Sequence, residues 1–264
     1  MSRFGDATEL RRLGDGRYTV DLDGDFGFAK ALNGGYVMAV LGRAAVDASE
    51  HAHPVSTAAT FLRTVQAGPA EVIVDVRKTG ATTTSARVTL VQDDRPVTEA
   101  LITTATLDAA AEPTFSGARP VPDLPPPGDC LDFADGPGDE LKGFASCVDL
   151  RFDPAAMGWL SGAPSGRPEM RAWFRLRDPH EPDPFVLAFA VDALPPVAFN
   201  AGADGWCPTV ELTWYLRALP APGTLQVHSG GRLVADGWFD EETEIWDSAG
   251  RLVAQSRQIA RLGR

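Results

Sequence analysis

Asn33-Gly34-Gly35-Tyr36-Val37-Met38-Ala39-Val40-Leu41-Gly42-Arg43-Ala44-Ala45-Val46 is the stretch on which the fold turns. It holds no proline and no charge before Arg43. Wound as a helix it is apolar on every side, and such a helix is a buried one. Asn33 suits its N-cap, and the two glycines leave the first-turn amides uncovered by side chains. Upstream, residues 17–28 are turn-rich and carry aromatic and β-branched residues suited to one strand. Downstream lie four more strand candidates, 55–63, 70–78, 83–92 and, after an Asp93-Asp94 turn, 95–107. In the second of these Val72, Val74 and Val76 alternate with Ile73, Asp75 and Arg77, the period of two expected of a half-buried strand. A buried helix followed by an antiparallel meander is an α+β layer arrangement.

The next stretch, 109–138, holds Pro113, Pro120, Pro122, Pro125, Pro126, Pro127 and Pro137 among Gly and Asp. Proline removes backbone donors, so this stretch builds no sheet of its own and reads as a linker. It divides the chain into an N-terminal unit (1–108), a linker (109–140) and a C-terminal unit (141–264). The C-terminal unit repeats the order of the first. Strand candidates at 144–152 and 170–177 precede a mostly apolar segment, 184–199, and strands recur at 209–217, 223–234, 238–247 and 251–262. Three landmarks test the repeat. Phe61-Leu62-Arg63 matches Tyr215-Leu216-Arg217 at 217 − 63 = 154, Gly80 matches Gly237 at 157, and Arg95-Pro96-Val97 matches Arg251-Leu252-Val253 at 156. A near-constant offset in strands of varied length reads as a duplicated fold.

Composition bounds the function. The 264 residues carry 24 Lys+Arg against 36 Asp+Glu, a net charge of −12, which argues against a nucleic-acid or anionic-membrane surface. Apolar residues at 44% and charged residues at 23% suit a globule with a full-sized core. The longest apolar runs, such as 185–191, fall short of the roughly 18 residues of a membrane span. The N-terminus has no apolar signal region. Cys130, Cys147 and Cys207 form no CxxC pair, so a reducing cytoplasm is the expected compartment. His51 and His53 flank an Ala in a polar loop and read as solvated; GxSxG, GxGxxG and P-loop motifs are absent from the sequence.

A buried helix wrapped by five or six antiparallel strands, present twice, is a double hot-dog. The quoted helix is joined by His53-Pro54-Val55-Ser56, Trp173-Phe174-Arg175, Thr209-Val210-Glu211-Leu212-Thr213-Trp214, Glu244-Ile245-Trp246-Asp247 and the run from Gly250 to Gln258. In order and spacing these resemble the TesB-like acyl-CoA thioesterase (acyl-CoA thioesterase II) superfamily, across nearly the whole chain outside the linker. The resemblance implies hydrolysis of acyl-CoA thioesters to free acid and coenzyme A. It also implies a catalytic Asp at the second helix, a Thr or Ser on the following strand and a Gln on the last strand. By position these are Asp192, Thr213 and Gln258, with Thr209 the weaker match for the threonine and Gln255 for the glutamine. Since 192 − 156 = 36, Asp192 falls opposite the Asn33-Gly34-Gly35-Tyr36 turn. Pro195 and Pro196 forbid a long helix after Asp192, so the helix is expected at 185–191 with Asp192 near its end.

Strand parity bears on two of these residues. Leu252, Ala254, Ser256, Gln258 and Ala260 share one face of the last strand, so Gln258 points inward among small and apolar neighbours. Gln255 lies with arginines on the other face. Thr209, Glu211, Thr213 and Tyr215 form a polar face that is either solvated or lines a site. No Ser–His or Cys–His pair stands at a recognisable spacing, so direct attack by water is the expected chemistry. Asp192 acts as general base, Thr213 and Gln258 hold the water, and the Gly34 and Gly35 amides bind the substrate carbonyl. Other readings stand beside these. Gly34 and Gly35 can serve tight packing, Asp192 a helix cap, and Thr213 with Gln258 a buried hydrogen-bonded pair. No metal or other cofactor is expected. The partner the resemblance implies is an acyl-CoA substrate; a polyanionic ligand sits awkwardly with a charge of −12, and a homo-oligomer is left open. Hydratases of the same fold pair Asp with a nearby His, and no His follows Asp192 before His228. The remaining alternative is a double hot-dog that binds acyl-CoA or acyl chains without turnover.

Overall fold

A computed structural model describes residues 2–28, 31–136 and 138–263. It opens with helix α1 (Arg3–Ala7), strands β1 (Arg11–Gly14) and β2 (Arg17–Leu22), and the two-residue strands β3 (Gly27–Phe28) and β4 (Ala31–Leu32). Helix α2 (Gly34–Asp47) precedes a meander of β5 (His53–Phe61), β6 (Gly68–Thr79), β7 (Thr84–Gln92) and β8 (Arg95–Ala105). Then come β9 (Leu131–Asp132), α3 (Lys142–Cys147), β10 (Val148–Phe152), β11 (Glu169–Leu176) and α4 (Pro184–Ala190). The chain closes with β12 (Thr209–Leu216), β13 (Leu225–Gly230), β14 (Val234–Ala235), β15 (Trp238–Trp246) and β16 (Leu252–Arg261).

One 14-stranded antiparallel sheet runs β1-β2-β6-β7-β8-β5-β12-β16-β15-β13-β11-β10-β9, with β14 beside β15. Its second half mirrors the first, β5-β8-β7-β6-β2 being answered by β12-β16-β15-β13-β11. The seam is β5 against β12, where Ala58 faces Thr213 and Ala59 faces Leu212. Adding or subtracting the offset of 154 exchanges these two pairs, as a twofold axis through the seam requires. The duplicated arrangement is a double hot-dog.

Local chemistry fixes the two helices. Asn33 caps α2 by accepting the Tyr36 amide at 2.9 Å, and residues Tyr36 to Leu41 are wholly buried because the sheet curls round them. Asp183 caps α4, its Oδ1 accepting the Phe185 and Val186 amides at 2.8 Å each, and Pro184 occupies the first turn, where no donor is lost. The helices lie against each other closely enough that a Cβ on Gly35 would stand 2.5 Å from the Phe189 carbonyl oxygen. Ending at Ala190, α4 leaves Asp192 just beyond its last turn, as the proline pair dictates.

The stretch expected as linker divides in two. Residues 106–126 carry no helix or strand; their order comes from contacts such as the Trp173 indole donating to the Pro125 carbonyl at 2.8 Å. From Pro127 onward the chain makes short 3-10 turns and the edge strand β9, which pairs with β10. Phe133, edge-on to the rings of Phe144 and Phe152, docks this part on the core. The expected strand at 144–152 likewise starts as helix α3 and becomes β10 at Val148.

Candidate active site

Between the units lies a cavity of about 610 Å³, within the range of small-molecule sites. Its walls are largely apolar, with Phe28, Phe61, Phe133, Phe152, Trp159 and Phe199 among them. Four polar side chains converge at one end: Asp192, Thr209, Glu241 and Gln258. They come from the turn after α4 and from β12, β15 and β16, neighbouring elements that the sheet order brings together.

Asp192 is held from the opposite unit. Its Oδ2 accepts the Gly35 amide at 3.0 Å, and its main-chain carbonyl accepts Nδ2 of Asn33 at 2.6 Å. Burial raises the carboxyl to about 7, against the pull of the Gly35 and Gly34 amides. Glu241 is 3% exposed, and burial likewise raises it to about 7, with the facing Asp192 charge adding to the effect. Neither carboxylate has a Lys or Arg partner among the described residues. Two raised, cation-free carboxyls in one apolar cavity are a poor device for stability and a good one for proton transfer near neutral pH.

The polar groups opposite Asp192 form a chain. Oε2 of Glu241 accepts the Val197 amide at 3.0 Å, and its Oε1 accepts Nε2 of Gln258 at 3.0 Å. Oε1 of Gln258 accepts the Thr209 hydroxyl at 2.5 Å. Thr209, not Thr213, therefore meets the glutamine, and the expectation for Thr213 is corrected. Thr213 faces Arg257 across β16 on the outer surface and donates to Glu211 at 2.6 Å. The cause is a β-bulge: Thr209 pairs with Ala260 and Glu211 with Ile259, so Val210 is an extra residue. Strict alternation puts Thr209 and Thr213 on one face; the inserted residue turns Thr209 to the other, beside inward-facing Gln258.

The glycines also differ from expectation. Gly34 lines the cavity, but the Gly35 amide is committed to the Asp192 carboxylate and is not free for a substrate carbonyl. A Cβ on Gly34 would stand 2.8 Å from Asp192 Oδ2 and 2.7 Å from the Phe61 ring. Close approach is what these positions require of glycine, together with support of the carboxylate.

Residues 22–106 match the family described as acyl-CoA thioesterase N-terminal domain, and residues 127–262 match the acyl-CoA thioesterase C-terminal domain. The chain belongs to the acyl-CoA thioesterase family. It is 32% identical over 222 residues to an uncharacterized protein of Mycobacterium tuberculosis, covering 78% of this chain and 75% of that one. A crystal structure from Thermobifida fusca YX with a provisional thioesterase II assignment is 43% identical, covers 100% of this chain and 98% of its own, and superposes with a TM-score of 0.91. The acyl-CoA thioesterase II TesB2 of Mycobacterium marinum shares the fold at 21% identity, with 98% of each chain covered and a TM-score of 0.73.

In this thioesterase the sequence reading passed over Glu241. Its signal was present: Phe239, Glu241, Thr243 and Ile245 share the inward face of β15, and a carboxylate between Phe239 and Thr243 on a buried face needs a reason. Arg63 is the one basic side chain lining the cavity among the described residues, and it is exposed. No helix among the described residues is long and apolar enough to cross a membrane.

Proposed function

We propose that the thioesterase cleaves acyl-CoA by direct attack of water, with Asp192 as general base and Thr209 and Gln258 holding the nucleophile. The observation that carries this is the raised Asp192 carboxyl facing, across one cavity, a threonine whose own proton is already donated to Gln258. The Thr209 oxygen is left as an acceptor. A water donating one proton to Asp192 and the other to Thr209 keeps a lone pair for the thioester carbon. Asp192 takes the proton as the C–O bond forms. The tetrahedral intermediate then expels the thiolate, which takes that proton, giving the free acid and coenzyme A. The aromatic walls receive the acyl chain, and with Cys130, Cys147 and Cys207 all free we place the reaction in the cytoplasm.

The test is hydrolysis of a panel of acyl-CoA esters of graded chain length, followed by released thiol. Turnover by the wild type, lost in Asp192→Asn, is the expected result. Equal turnover by that variant overturns the assignment of the base.

A further inference from the structure

We infer that Glu241 is the positioning residue that sets the direction of the hydrogen bonds running through Gln258 to Thr209. This rests on the reading that Thr209 and Gln258 hold the attacking water. A glutamine amide fits its site equally well in shape either way round, so only its partners decide which end carries the oxygen. Here Glu241 decides. Both its oxygens face donors, the Val197 amide at 3.0 Å and Gln258 at 3.0 Å. Val197 has no alternative to donating, being a backbone N–H at the start of a 3-10 turn. Above its raised pKa of about 7 the Glu241 carboxylate only accepts, and in that ionised form it compels the side chain opposite to present nitrogen. Nε2 of Gln258 thus lies toward Glu241, which sends Oε1 toward Thr209. The hydroxyl must then donate to Gln258, leaving its oxygen to accept from water.

Reversal of that chain would undo the chemistry. With Nε2 toward Thr209, the hydroxyl would accept from the amide and its proton would point at the water. The water oxygen would then accept a hydrogen bond on one of its two lone pairs, drawing electron density from the nucleophile where donation to Thr209 would leave it richer. Register supports a dedicated role: Glu241 stands directly opposite Gln258 across β15 and β16, on the buried side of the sheet. The ionisable groups around Glu241 are Asp192 beyond α4, Asp240 beside it on β15 and the Cys207 thiol before β12.

Glu241→Gln separates direction from packing. The introduced amide fills the same volume; its oxygen takes the Val197 N–H, and its nitrogen faces Gln258, which is satisfied only by a flip. KM should stay near wild type and the melting temperature should not fall, since the variant buries no charge, while kcat falls about tenfold or more, the signature of an interaction made in the transition state. Combining Glu241→Gln with Gln258→Glu restores an acceptor opposite both the introduced amide and Thr209, so kcat should recover in part. Wild-type kcat in Glu241→Gln, alongside strong losses in Thr209→Ala and Gln258→Ala, overturns the inference alone. If those two variants keep wild-type kcat, the water-holding reading fails instead. Neutron diffraction then decides for Glu241 independently: Nε2 of Gln258 against Glu241 in the wild type and reversed in Glu241→Gln upholds it, and any other pair of orientations refutes it.

Discussion

Nδ2 of Asn33 donates to the main-chain carbonyl of Asp192 at 2.6 Å while Oδ1 of the same side chain caps α2 through the Tyr36 amide at 2.9 Å. One amide thus starts the helix of the first unit and tethers the carboxylate of the second. Aspartate could cap but could not donate. Asn33→Asp should therefore keep the cap, leave the Asp192 carbonyl unpaired at a cost of about 1–3 kcal/mol, and add a charge beside the base. Urea unfolding and kcat measured together should both fall.

Asp192→Asn should leave the fold intact and lower hydrolysis by about 10²-fold or more, the scale of a lost general base. Thiol release against thermal melting separates the two effects. Gln255→Ala, on the outer face where Gln255 donates to Glu244, should change turnover little.

The pH dependence follows from the raised carboxyls. Asp192 rises from 3.8 to about 7 on folding, so between those values the folded chain holds the extra proton. By linkage, stability falls as pH rises through that window and is level above it. Asp192→Asn should thus gain melting temperature relative to wild type as pH climbs from about 4 to about 7. Wild-type kcat/KM should rise through the upper part of the same window, because the base works ionised. Its apparent pKa belongs to Asp192 and Glu241 jointly.

Two threonines on one strand offer a clean contrast. Thr209→Ala removes the group bonded to Gln258 and should cost on the order of 10² in kcat, as loss of a preorganised polar contact does. Thr213→Ala touches only Glu211 on the outer face and should stay within about twofold of wild type. The reverse ranking would restore the assignment made from the family resemblance.

Gly35→Ala should destabilise by about 1–3 kcal/mol, since the new methyl meets the backbone oxygens of Phe189 and Ala188 at 2.5 and 2.7 Å. Backbone cannot rotate aside as a side chain can. Denaturant unfolding measures the loss, and a turnover defect should accompany it because the Gly35 amide moves with α2 away from Asp192.

Much of this architecture was legible in the chain. The all-apolar run after Asn33 required a buried helix, the repeat offset required a second unit, and Pro195-Pro196 placed Asp192 at a helix end; each is a local or periodic signal carried by the residues themselves. Inward-facing Gln258 followed from parity in β16, which pairs without a shift along residues 254–261. What the tertiary structure alone decided was the identity of its partner. A single bulge at Val210 reversed the facing of Thr209, and bulges arise from how two strands meet, so no alternation within β12 reveals one. Glu241 became a member of the site only when β15 lay beside β16, and the Gly35 amide was claimed by Asp192 only when the two helices closed to backbone contact. Local sequence set which elements form because propensity and period act over a few residues; the site was set by packing, because its members come from separate strands and turns and, for Asn33 and Asp192, from positions 159 residues apart.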